Sequence, residues 1–178
     1  MDCEALIHRY YQGQPELEQL LLLHSRQVAE RALQVADQHP EFNLDRDFLF
    51  EAAMLHDIGI LQCDAPGILC RGTHPYILHG YLGGQMLRQE GLLRHARVAE
   101  RHTGTGLTQA QMEQRNLPLP LGDYCPETIE EQVICYADKF FSKSSPEGVK
   151  TLEHILRSLS RFGEEGVRQF LRWQEQFG

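Results

Sequence analysis

The residues of this chain with types and spacing suited to chemistry are four histidines and two aspartates, lying on apolar helical stripes, near them, or at a helix end where charge is disfavoured. His24 interrupts a stripe of Leu17, Leu21, Val28, Ala32 and Val35 that steps by three and four along one helical face. Asp138 lies in the same way between Ile134 and Phe141. A buried carboxylate is costly unless a partner or a metal takes it. His56 and Asp57 fall in the last turn of an expected helix, where the helix dipole disfavours negative charge. A bound cation reverses that argument. His79 and His102 stand near inner helical stripes, one followed by Gly80 and the other by Thr103-Gly104.

Each of these has an ordinary reading on its own. His24 fits a hydrogen-bonded core histidine, Asp138 a buried pair with Lys139 or an arginine, and His56-Asp57 a solvated helix end. Together they are the ligand types of zinc, iron and manganese. A helical bundle can bring inward-facing groups from several helices to one interior point.

Such a bundle is what the apolar periodicity predicts. Helices are expected over residues 15–39, 45–58, 76–89, 92–102 and 127–142, with one or two amphipathic helices in 146–177 broken at Gly163. Pro15 suits a first helical position, and Thr108 with Gln111 forms a capping-box pattern. Residues 59–75 and 117–126 read as loops, and strand signals are nearly absent. The fold class is all-α, in one domain.

Length and composition agree. The 178 residues can bury roughly 70% of the unfolded chain's surface in one core. With 42% hydrophobic and 24% charged residues, disorder, collagen and coiled coil are excluded for the whole chain. The net charge of −8 argues against non-specific binding of a nucleic acid polymer or an anionic membrane, while leaving room for one local phosphate. The first residues carry no signal-peptide pattern, and apolar runs such as Leu20 to Leu23 are far shorter than a membrane span needs. A cytoplasmic protein is expected. Five cysteines without a CxxC spacing read as free thiols.

The chain resembles the HD-domain metal-dependent phosphohydrolases, in the HDIG subgroup. The hallmark stands as His24 in LLLHSRQVAERAL, His56-Asp57-Ile58-Gly59 in AAMLHDIGI, His79 in ILHGYLGG, His102 in AERHTGTG and Asp138 in ICYADKF. This order spans residues 24–138, and the resemblance implies a helical bundle of the HD type with the C-terminal helices of 146–177 packed on that core. It further implies that His24, His56, Asp57 and Asp138 bind one divalent metal ion, and that Asp57, as a bridge, binds a second with His79 and His102. One or two ions of iron, manganese, zinc or cobalt are expected, with two favoured because no ligand is missing.

The implied activity is hydrolysis of a nucleotide or another small phosphate ester or anhydride by metal-activated water, with Asp57, His79 and His102 as the catalytic residues. Dinucleoside tetraphosphate hydrolases share motifs similar to RHTGTG and YADKF, but KFFSKSSPEG lacks the arginine pattern expected of them. Positive charge for the substrate is sought first in Lys139 and Arg71, then in Arg26 and Lys143. His74 and Thr103 complete the expected substrate contacts. Alternatives on the same ligand set are a di-iron oxygenase and a non-catalytic ligand-binding module. The apolar tail residues, Leu152 to Trp173, are expected to cap the core, with a homodimer face as the alternative.

Overall fold

A computed structural model describes residues 1–145 and 147–178. Pro146, the first residue of the expected C-terminal segment, lies outside the described residues. The architecture is all-α: nine helices among the described residues, with one three-stranded sheet of two- and three-residue strands. In chain order these are α1 (Cys3–Tyr10), α2 (Pro15–Gln38), α3 (Arg46–Leu55), β1 (Cys63–Ala65), β2 (Cys70–Arg71), β3 (His74–Pro75), α4 (His79–Gln89), α5 (Leu93–Arg101), α6 (Gln109–Gln114), α7 (Ile129–Asp138), α8 (Leu152–Ser160) and α9 (Glu164–Phe177).

Local chemistry sets most helix starts. Pro15 opens α2, where its missing N–H has no helical partner to lose. Asp2 and Asp45 cap α1 and α3 by accepting from Ala5 N and Phe48 N. Thr108 with Gln111, and Thr128 with Glu131, form complete capping boxes on α6 and α7. Helix α2 buries Leu17, Leu21, His24, Val28, Ala32 and Val35, the stripe read from the sequence. It packs on α3 and α7, while α4 packs on α5. No helix is long and apolar enough to cross a membrane.

The structure differs from the sequence reading in four places. Helix α1 was not expected; its eight residues bury Cys3, Leu6 and Ile7. Helix α3 stops at Leu55, and the chain re-forms as a 3-10 turn over Ile58–Gln62. His56-Asp57 is therefore a junction rather than the last turn of a helix running to residue 58. The expected loop 59–75 holds the sheet, in which β1 pairs antiparallel with β2 and parallel with β3. Helix α7 ends at Asp138 rather than at 142, so residues 139–145 and 147–151 are irregular.

Two glycines let the backbone close around the interior. A β-carbon on Gly59 would lie 2.2 Å from the His79 carbonyl oxygen and 2.3 Å from Gly83 N. One on Gly80 would lie 2.4 Å from the Ala99 carbonyl oxygen. Only glycine allows both approaches, which draw the 56–59 junction, α4 and α5 together. The Tyr11 hydroxyl, fully buried, donates to the Ile58 carbonyl at 2.9 Å and pins the junction from the other side. At the far end, Phe170, Trp173 and Phe177 of α9 are buried, with Tyr136 stacked on Phe170 at 5.4 Å.

Candidate metal centre

Four helices and the junction after a fifth deliver six polar side chains to a single interior point. His24 comes from the middle of α2, His56 and Asp57 from the junction after α3, and His79 from the first residue of α4. His102 follows the last residue of α5, and Asp138 ends α7. All six are buried, His56 and Asp57 completely. They form two groups able to hold a metal ion, His24/His56/Asp57/Asp138 and Asp57/His79/His102, with ligand atoms within 4.8 Å of one another in each.

The Asp57 carboxylate divides between the groups. Its Oδ2 lies 3.2 Å from His24 Nε2 and 3.0 Å from His56 Nε2. Its Oδ1 lies 3.5 Å from His79 Nε2 and 3.3 Å from His102 Nε2. Asp138 Oδ1 faces His24 Nε2 at 3.0 Å and His56 Nε2 at 3.6 Å.

The backbone fixes which ring nitrogen is free. His56 Nδ1 contacts the Ala53 carbonyl at 2.6 Å, His79 Nδ1 that of Tyr76 at 2.7 Å, and His102 Nδ1 that of Ala99 at 2.7 Å. A carbonyl oxygen only accepts, so each Nδ1 carries the hydrogen and, in the neutral ring, each Nε2 turns a lone pair inward. Such carbonyl partners are the usual orienting contacts of metal-binding histidines.

Two observations test the fit of a metal. His79 Nε2 and His102 Nε2 stand 3.0 Å apart, lone pair to lone pair, an arrangement that calls for a cation or a proton between them. His24 Nε2, His56 Nε2 and Asp57 Oδ1 are buried without a properly directed hydrogen bond among the described residues, despite their short contacts. Buried polar atoms are normally satisfied. The donor set, imidazole nitrogen and carboxylate oxygen, suits a divalent first-row transition metal.

Electrostatics divide the histidines. Burial lowers His56, but Asp57 and Asp138 outweigh it and raise the imidazole to about 9. Burial and the neighbouring His102 lower His79 to about 3. Burial also lowers His102, against the pull of Asp57. Burial opposes the charge on both aspartates, yet Lys143 and His56 hold Asp57, and Lys139 and His24 hold Asp138, well below the usual carboxylate range.

A cavity of about 330 Å³ opens beside the cluster, with Asp138 in its wall. Tyr76, Lys139, Lys143, Lys150 and Phe162 line it too. Lys143 pairs directly with Asp57, and Lys139 Nζ lies 2.7 Å from Asp138 Oδ2. Lys150 donates to the Phe141 carbonyl at 2.5 Å.

Among the expected substrate contacts, Lys139 is at this cavity. Arg71 is exposed on β2 and lines a separate cleft with Glu16 and Leu17. His74 is exposed on β3. Thr103 lines a neighbouring, more apolar cavity of about 200 Å³. Arg26 points away from the site and pairs with Glu4 at 2.6 Å. His95 is buried, 3.3 Å from Glu51.

Sequence reasoning did not single out Tyr76 or Lys150. It placed Lys143 behind Lys139 and Arg71. Lys143 recurs four residues after Lys139, a weak signal that the irregular path after α7 conceals.

Comparison with known proteins gives the wider setting. The HD domain family model matches residues 21–142. The chain is 35% identical over 126 residues to a tRNA (cytidine(56)-2'-O)-methyltransferase of Picrophilus torridus, covering 70% of this chain and 32% of that protein. It is 31% identical over 141 residues to the protein of the same name from Thermoplasma volcanium, covering 79% of this chain and 36% of that one. An uncharacterized protein of Methanocaldococcus jannaschii is 35% identical over 118 residues, covering 65% of this chain and 62% of that protein. No solved structure matches. The chain thus spans about a third of the length of the two methyltransferases.

These relatives correct the activity and partner expected from the sequence. They are named for methyl transfer to tRNA, which is not hydrolysis of a small phosphate ester, and their named substrate is a nucleic acid polymer. Net charge averages over the surface and does not report a local cluster of cations. The ammonium groups of Lys139, Lys143 and Lys150 sit together at one cavity although acidic residues outnumber basic ones overall.

Proposed function

The chain belongs to the HD domain family, and from that premise we propose that it is a divalent-metal-binding domain that holds the ribose–phosphate backbone of an RNA in the service of tRNA ribose methylation. The observation that carries this reading is the set of three lysines lining the cavity beside the His/Asp cluster. The names of the relatives supply the RNA.

In this reading residues 1–178 form a single domain with its motif at 24–138. Asp57, shared between the two groups, would hold two ions of iron, manganese, zinc or cobalt, one with His24, His56 and Asp138 and the other with His79 and His102. Such ions supply Lewis acidity, drawing in anionic and hydroxyl oxygens and lowering the pKa of a hydroxyl they hold. The chain's own residues do the positioning. Lys139 and Lys143 present buried positive charge to a backbone phosphate. Tyr76 and Phe162 give the cavity an aromatic wall for the sugar or base. Because so few cations take part, RNA binding has a shallow salt dependence, unlike that of a basic groove.

The test is retention of a tRNA transcript by the chain after metal stripping and after reloading with manganese. Retention by the loaded protein, lost on stripping and lost in Asp57→Ala, is expected. Equal retention with and without metal, or none in either state, overturns the reading.

A further inference from the structure

Both carboxylates of the cluster already hold a cation from the chain. Lys143 pairs with Asp57 through Oδ2, the oxygen that also faces His24 and His56. Lys139 pairs with Asp138 through Oδ2, at 2.7 Å. The two lysine side chains are 12% and 14% exposed, so neither charge is shared freely with water. A metal ion and an ammonium repel one another, and at contact distance they cannot share one carboxylate oxygen without mutual cost. Loading the cluster therefore displaces at least Lys143 from Asp57.

The displaced ammonium has one short route. Lys143, Lys139 and Lys150 all line the 330 Å³ cavity, together with the hydroxyl-bearing Ser142, Ser144 and Ser158. A buried ammonium without a counter-ion is unfavourable. Metal loading consequently turns a neutralised wall into one that demands an anion.

We propose that Lys143 exchanges partners, neutralising Asp57 when the cluster is empty and holding a phosphate-class anion in the adjoining cavity when the cluster is loaded, so that metal and anion each tighten the binding of the other. The coupling is reciprocal by thermodynamic linkage. This rests on the metal-binding reading above and adds a residue and a mechanism to it. It also gives Lys143 two opposed effects, which a residue serving only the fold does not have.

The test is calorimetry on the full chain, with manganese titrated into stripped protein and inorganic phosphate titrated into stripped and loaded protein freed of excess ion. In the native chain, phosphate is expected to bind at least tenfold more tightly after loading. In Lys143→Met, manganese is expected to bind at least threefold more tightly, because its competitor is gone. Phosphate is expected to bind the loaded variant about tenfold more weakly. If Lys143→Met does not fold by circular dichroism, Lys143→Gln replaces it.

Unchanged phosphate affinity in the loaded variant means the anion is held by metal alone and overturns the proposal. So does unchanged or weaker manganese binding in the variant. If the native chain takes up no metal at all, the metal-binding reading itself fails, an outcome distinct from metal uptake without coupling.

Discussion

His56 and His79 face opposite oxygens of the same carboxylate, and their surroundings drive them in opposite directions. His56 lies against both Asp57 and Asp138 and is raised to about 9. His79 lies against a second imidazole and only one carboxylate, and is lowered to about 3. Without metal, the first group of the cluster therefore holds a proton at neutral pH, while the second presents neutral imidazoles. Two groups built from the same residue types meet a metal differently: the first must release a proton to bind it, and the second need not.

The strongest way to break this comparison is to remove what the two groups share. Asp57→Ala is expected to take metal content to zero in both, read by elemental analysis. It also leaves Lys143 and His56 as buried charges without their main partner, at a cost of about 3–5 kcal/mol in thermal or denaturant unfolding. Retention of one ion would show that Asp57 is not the bridge. His79→Ala sharpens the same point, since one ion per chain is expected to remain; a loss of both would mean that the groups do not load separately.

Next in size is the glycine contact that holds the second group in place. Gly80→Ala sets a β-carbon against the Ala99 carbonyl oxygen and is expected to cost about 1–3 kcal/mol. It should weaken metal binding at His79/His102 more than at His24/His56, because it pushes α4 from α5. Equal weakening at both would count against the division.

The pH response of the metal-free chain is smaller and tests the electrostatics directly. His56, raised above its ordinary 6.5 to about 9, contributes stability that is full below 6.5 and is lost as pH rises toward 9. His79, lowered to about 3, contributes stability that is full above 6.5 and is lost as pH falls toward 3. The two slopes oppose one another, so chelated protein is expected to have its highest melting temperature near pH 6.5. A melting temperature that climbs steadily from pH 6.5 to 9 would contradict the state assigned to His56. The least effect is expected from Arg71→Ala and His74→Ala, exposed and outside both groups, with stability within about 0.5 kcal/mol of the native chain and unchanged metal content.

How much of this was legible in the sequence follows from physical range. His24 and Asp138 announced themselves because a polar residue inside a helical stripe is visible against the period of its neighbours. Gly59 and Gly80 stand beside His56-Asp57 and His79 in the sequence, but their close backbone contacts involve α4 and α5, which no local pattern reports. Helix α1 escaped because eight residues give barely two turns of periodicity. The strands between Cys63 and Pro75 escaped because two- and three-residue strands alternate too briefly to be seen. Lys143 and Lys150 lie on irregular chain, where spacing does not predict direction. Their place at the cavity emerges only once α7 has ended at Asp138.

The complete burial of His56 and Asp57 has a kinetic consequence. An ion held by Asp57 would pass through the cavity walled by Asp138 and past buried side chains, so its exchange would be slower than ligand dissociation in water. Copper and zinc stand at the top of the usual affinity order for nitrogen and oxygen ligands. A site that exchanges slowly need not reach that order at once, because it keeps for a time whichever ion it first took up. The metal recovered from this protein would thus reflect the medium in which it was last loaded, and stripping it and reloading with one chosen ion is the way to set its content.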